Sequence, residues 1–135
     1  MKRILLCMLS LLFIFSVTSC DDITKDEAKG KTEELVKCVS ENRFEDAQKL
    51  AHADAPLDIK AVFEDAEARY GVDFQNGITI SKYTDLSFSM KEKDTGGSEY
   101  EVDADITVSG KTLELSVEIV KNDKGYGIYS IEIDD

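Results

Sequence analysis

A thiol at Cys20, an imidazole at His52 and a series of carboxylates spaced by two along the last third of the chain are the groups able to do chemistry. Cys20 closes the run Val17-Thr18-Ser19-Cys20. That run follows a basic start, Met1-Lys2-Arg3, and an apolar stretch from Ile4 to Val17. A thiol so placed is a nucleophile for thioether formation. His52, the one histidine of the chain, falls near the end of a helical pattern, where a helix C-terminus favours a cation. A structural role is expected for it. The chain has no Gly-x-Ser-x-Gly, no His-Glu-x-x-His, no Cys-x-x-Cys and no phosphate-loop spacing. No catalytic residue, cofactor or metal is therefore assigned.

The residues before Cys20 have the parts of a secretory signal peptide: a positive n-region, a short apolar h-region and small residues before a cut. With a cysteine at the cut, the segment resembles a bacterial lipoprotein signal: an aliphatic residue, two small ones and the lipid-accepting Cys. The resemblance implies that residues 1–19 are removed and that the Cys20 thiol carries a diacylglycerol. The protein is then held on a membrane by acyl chains of the palmitate class. An ordinary secretory cut after Ser19 suits Val17 and Ser19 as well. A spanning helix is not expected, because Ile4 to Val17 supplies 14 residues and a bilayer core takes about 20. Two or more acyl chains suffice for stable anchoring, at about 0.8 kcal/mol per buried methylene. The lipidated protein is expected on the extracytoplasmic face of the cell membrane, and Asp21 directly after Cys20 resembles an inner-membrane retention signal, which implies that membrane if the cell has two. The expected division is a signal peptide at 1–19, a lipidated tether at 20–25 and a single domain at 26–135.

The whole chain carries a formal charge of −12, and losing Lys2 and Arg3 with the signal takes it to −14. Phosphates repel so acidic a domain, so no nucleic-acid partner is expected. Anionic head groups repel it too, and the body should stand off the bilayer as far as its short tether allows. Of the three cysteines, Cys7 leaves with the signal and Cys20 takes lipid. Cys38 remains, among Leu35, Val36 and Val39, and is expected to pack as a small hydrophobe.

Periodicity divides the domain in two. Thr24-Lys25-Asp26-Glu27 has the spacing of a capping box, and apolar residues recur at helical spacing from Ala28 to Val39. Asn42-Arg43-Phe44-Glu45 repeats the capping signature before a second apolar stripe, Phe44, Ala47, Leu50 and Ala51. Asp54-Ala55-Pro56 breaks that helix. A third helix carries Ile59, Val62, Phe63, Ala66 and Tyr70 and stops at Gly71. From Gly77 the period becomes 2. Ile78, Ile80 and Tyr83 suggest one strand; Leu86, Phe88 and Met90 a second; Tyr100 to Val108 a third; Leu113 to Ile119 a fourth; Tyr129 to Ile133 a fifth. The expected class is α+β, three N-terminal helices packed on an antiparallel sheet of four to five strands.

Turn chemistry predicts the register. With Ser109-Gly110 as a two-residue hairpin loop, Ile106 faces Leu113, Ala104 faces Leu115, Val102 faces Val117 and Tyr100 faces Ile119. A three-residue loop, Asp123-Lys124-Gly125, then sets Ile119 against Tyr129, Val117 against Ile131 and Leu115 against Ile133. The outward face becomes acidic: Glu101 beside Glu118 and Ser130, Asp103 beside Ser116 and Glu132, Asp105 beside Glu114 and Asp134. Such carboxylates serve solubility or dock a basic protein or peptide. A tight calcium site is not expected, since calcium wants six to eight converging oxygens and side chains perpendicular to a sheet diverge. Lys91 and Lys93 are placed to neutralise the edge near Glu101 and Glu99.

The segment Asn42-Arg43-Phe44-Glu45-Asp46-Ala47 and the closing strand Gly125-Tyr126-Gly127-Ile128-Tyr129-Ser130-Ile131 resemble the small-lipoprotein branch of the nuclear-transport-factor-like (cystatin-like) superfamily. The resemblance covers about residues 25–133 and implies three helices against a strongly curved sheet, forming a cone. Enzymes of that family place an acid and a tyrosine inside the cone. Here the inward strand positions are apolar, so no catalytic residue carries over. Two functions follow as expectations. One is a membrane-anchored binding or interaction module, acting through a small apolar cavity or the acidic face. The other is a cone-fold enzyme acting on a small hydrophobic molecule.

Overall fold

Thr24 starts the first helix as the capping box requires: its hydroxyl accepts from the Glu27 N–H at 3.1 Å, and the Thr24 N–H donates to the Glu27 carboxylate at 3.4 Å. This is a computed structural model, and it describes residues 23–90 and 97–135. Expectations for the signal segment, Cys20, Asp21, Lys91 and Lys93 lie outside the described residues. The domain is α+β, with helices α1 (Lys25–Ser40), α2 (Phe44–Gln48) and α3 (Ile59–Tyr70), then a 3₁₀ turn over Phe74–Asn76. Four strands follow: β1 (Ile78–Met90), β2 (Ser98–Val108), β3 (Lys111–Asn122) and β4 (Gly125–Asp134). They form one antiparallel meander in the order β1-β2-β3-β4.

The capping signature at Asn42 does something other than expected. Asn42 adopts a left-handed conformation, φ 58°, and closes α1 instead of opening α2. The Asn42 N–H bonds the Val39 carbonyl at 3.0 Å and the Arg43 N–H bonds the Cys38 carbonyl at 2.7 Å. This pair of bonds satisfies carbonyls that a helix end leaves open, and asparagine tolerates the geometry better than most residues. Arg43 caps α2 without a side-chain bond and bridges Glu41 and Asp46 at 3.0 and 3.1 Å. α2 is also shorter than its apolar stripe predicts. Residues Leu50 to His52 leave the helix to bond the edge of β4, the Ile128 N–H to the Leu50 carbonyl and the His52 N–H to the Ile128 carbonyl, both at 2.8 Å.

Helix α3 matches its expectation, with Asp58 accepting from the Ala61 N–H and Gly71 ending it at φ 66°. Ile59, Phe63 and Ala66 are buried, and Phe63 meets Phe74 edge to face at 5.1 Å. The core joins these to Leu35 and Val39 of α1 and to Val102, Ile106, Leu113, Leu115, Val117 and Ile119 of the sheet. Cys38 is buried among them. Burial pushes its thiol above the ordinary range, as fits packing and not reactivity. Gly30 is exposed inside α1, and a Cβ there would meet nothing within 4 Å. Gly30→Ala should raise stability by about 0.5–1 kcal/mol, seen as a thermal midpoint a few degrees higher.

Two of the expected strands are one. β1 runs unbroken over Ile78–Met90, and register shifts between Ile80 and Lys82 and between Tyr83 and Asp85 leave Ser81 and Thr84 as extra residues. Each bulge reverses the alternation once. Ile78, Ile80, Tyr83, Leu86 and Phe88 therefore all stand opposite inward residues of β2: Val108, Ile106, Ala104, Val102 and Tyr100.

The β2–β3 hairpin has the expected register throughout, with Ser109 and Gly110 both at positive φ, 50° and 74°. At β3–β4 the loop has two residues, Asp123 and Lys124, because Asn122 pairs with Gly125. A shift after Glu118 then sets Ile119 opposite Ile128 instead of Tyr129. The bulge supplies the extra residue that the shorter loop removes, so Val117 with Ile131 and Leu115 with Ile133 stand as expected.

Candidate functional site: the acidic sheet face

The register brings together all seven acids expected on the outward face. Glu101 pairs with Glu118 and Asp105 with Glu114 across β2–β3. Glu118 pairs with Ser130, Ser116 with Glu132 and Glu114 with Asp134 across β3–β4, and Asp103 pairs with Ser116. β1 contributes an eighth that the sequence reading missed, Asp85, directly opposite Asp103. Lys82 stands opposite Asp105.

Glu101, Ser116, Glu118, Ser130 and Glu132 line a groove of about 150 Å³ across the middle of this face. The Ser130 hydroxyl donates to Glu118 Oε2 at 3.0 Å, which orients that carboxylate. Asp103 Oδ1 is shielded from water and has no hydrogen-bond partner among the described residues. A carboxylate oxygen stripped of water without a donor is costly, and an incoming cationic donor would relieve that cost.

Burial, and then the charges of Asp103, Glu118, Asp85 and Glu132, hold the Glu101 carboxyl above its ordinary 4.5. The folded protein thus takes up this proton at a higher pH than the unfolded chain does. Ionised Glu101 opposes folding at neutral pH, and the opposition fades as pH falls through the raised value. Glu101→Gln should raise the thermal midpoint at pH 7, and the gain over the parent should shrink to nothing once the pH lies below the ordinary carboxylate range. Thermal melts of both proteins across pH 3 to 7 measure it.

His52 has the structural role expected of it, though it lies past the end of α2 and not at a helix terminus. It is buried; its Nδ1 accepts from the Asp54 N–H at 3.0 Å, and its Nε2 lies 2.9 Å from Asn122 Oδ1. With Nδ1 accepting, the proton sits on Nε2 and is donated to Asn122, tying the β3–β4 turn to the segment after α2. Tyrosine hydroxyls serve similar ends: Tyr70 donates to the Ile133 carbonyl at 3.1 Å and Tyr83 to Glu33 at 2.9 Å. Burial and then the Glu33 bond push the Tyr83 hydroxyl well above its usual range.

No family model, curated protein or solved structure matches the chain. The site must be judged on its own chemistry. Among the described residues no group of three or more His, Cys, Asp or Glu side chains converges to hold a metal ion. None of their helices is long and apolar enough to cross a membrane.

Proposed function

We propose that this protein is a bacterial lipoprotein, anchored through acyl chains on Cys20 at the extracytoplasmic face of the cell membrane. Its α+β domain, of the nuclear-transport-factor-like kind, acts as an interaction module that docks a basic protein or peptide on the acidic sheet face. The observation that carries the docking half is the gathering of eight carboxylates from four strands on one face. The opposite face is packed with Phe63, Phe74, Leu35 and the inward strand residues, which favours the outer surface over an interior cavity as the place of binding. Like charges opposite one another at ~5 Å cost about 0.8 kcal/mol each in water, and a cationic partner reverses the sign of that term.

Two experiments test the two halves. Metabolic labelling with a clickable fatty acid should mark the wild type and leave Cys20→Ala unmarked and released from the membrane fraction. An unlipidated, freely diffusing wild type overturns the anchoring. For docking, a fluorescent oligolysine should bind at low salt and be released at high salt, and the combined Glu101→Gln, Glu118→Gln, Glu132→Gln variant should bind far more weakly. Binding that ignores ionic strength overturns the electrostatic reading.

A further inference from the structure

An open meander has two edges, and this one protects them differently. β1 carries two bulges, which twist an edge away from pairing. β4 is covered over its first part by Leu50–His52, through the two bonds to Ile128. Beyond the bulge the cover ends.

The direction of the backbone groups along the rest of β4 follows from the turn. Asn122 and Gly125 flank a two-residue loop and exchange hydrogen bonds, and the exchange alternates along an antiparallel pair. Counting through the shift after Glu118, Ser130 bonds inward to β3, while Ile131 and Ile133 turn their N–H and C=O outward. Two contacts agree with that parity: Ile128 bonds outward to Leu50 and His52, and the Ile133 carbonyl accepts from Tyr70. The Ile131 N–H and C=O and the Ile133 N–H are left without a partner among the described residues.

Those groups open onto a groove of about 600 Å³ between β4 and α3. Its α3 side offers Ala61, Val62 and Ala66, with Asp65 and Arg69 paired to each other at the rim. On its sheet side, Ile131 and Ile133 point toward the helices and Glu132 and Asp134 toward the acidic face.

We propose that the outer edge of β4 from Ile131 to Asp134 is a strand-addition site. It takes an extended segment of a partner protein in which apolar and basic residues alternate, pairing antiparallel as a fifth strand. The proposal rests on the docking reading above and names the form of its partner. Neighbouring strands share faces, so residues beside Ile131 and Ile133 fall on Val62 and Ala66 and must be apolar. Residues beside Glu132 and Asp134 extend the acidic face and must be basic. Antiparallel pairing lets one partner residue satisfy both the N–H and the C=O of Ile131. A second copy of this chain is a poor occupant, because β4 against β4 would place Glu132 and Asp134 beside the same acids of the copy.

The test uses the full-length chain in a non-ionic detergent and three labelled peptides of alternating lysine and valine. One is unmodified, one is N-methylated on the valine amides and one on the lysine amides. In the antiparallel register the valine amides face β4. The unmodified and lysine-methylated peptides should bind alike, and valine methylation should weaken binding at least about tenfold by anisotropy. The amide resonances of Ile131 and Ile133 should shift with the first two peptides. Folding is not at risk, since the protein is unchanged throughout. Salt-sensitive binding of all three peptides with equal affinity leaves docking on the acidic face standing and overturns strand addition. Binding of none of them at low salt overturns both, and a concentration-dependent dimer that no peptide disperses overturns strand addition by a partner.

Discussion

Gly127→Ala should lower stability by about 3 kcal/mol and the thermal midpoint by on the order of 10–20 °C. A Cβ at Gly127 would lie 2.6 Å from the His52 nitrogen and 2.7 Å from the Ala51 carbonyl carbon. Both are backbone atoms and cannot swing aside as the tip of a side chain can. To admit the methyl group, the Leu50–His52 segment must move off β4. That breaks its two bonds to Ile128, worth about 1 kcal/mol each, and strains the His52–Asn122 contact. Chemical denaturation should show the loss with an unchanged slope. Released from its cover, the whole edge of β4 would be open to pairing, so the variant should also aggregate at a lower concentration than the parent.

Phe63→Ala should cost more, about 3–5 kcal/mol. Phe63 is fully buried and anchors α3 between Phe74 and the sheet. Truncation removes the ring, its edge-to-face contact with Phe74, worth about 0.5–1.5 kcal/mol, and the packing that holds α3 beside β4. Urea titration followed by circular dichroism measures the loss. Phe63→Leu keeps most of the volume and should recover much of it. α3 forms one wall of the β4 groove, so the alanine variant should also bind an alternating lysine–valine peptide less tightly under conditions where it remains folded.

The acidic face was legible before the structure because it depends on two robust signals, a period of two and the Ser109-Gly110 turn. Asp85 escapes the sequence pattern because it lies just past two bulges, where Ser81 and Thr84 disturb the alternation that would have marked it. The same disturbance made β1 read as two strands. Tyr129 reads as inward in the sequence because a three-residue loop and a two-residue loop with a later bulge give identical pairing from Glu118 onward. Only Ile128, with its bonds to Leu50 and His52, separates them. Asn42 reads as the start of a helix in the sequence, since asparagine suits both a helix N-cap and a left-handed stop. Nothing local discriminates between those uses; the bonds back to Cys38 and Val39 do. The groove beside β4 had no sequence signal, because which strand lies at an edge is a property of the assembled sheet.

The paired bulges of β1 bear on how this chain can change length over evolutionary time. Ser81 and Thr84 are surplus to the ladder, so losing either one straightens its strand locally and leaves every neighbour on its own side. Removal of a residue with no spare beside it, such as Leu86 or Ser87, would instead turn neighbouring side chains over, sending oily groups to water and acids into the interior. Indels among descendants of this sequence should therefore collect at those two positions, where a codon can vanish without inverting the protein.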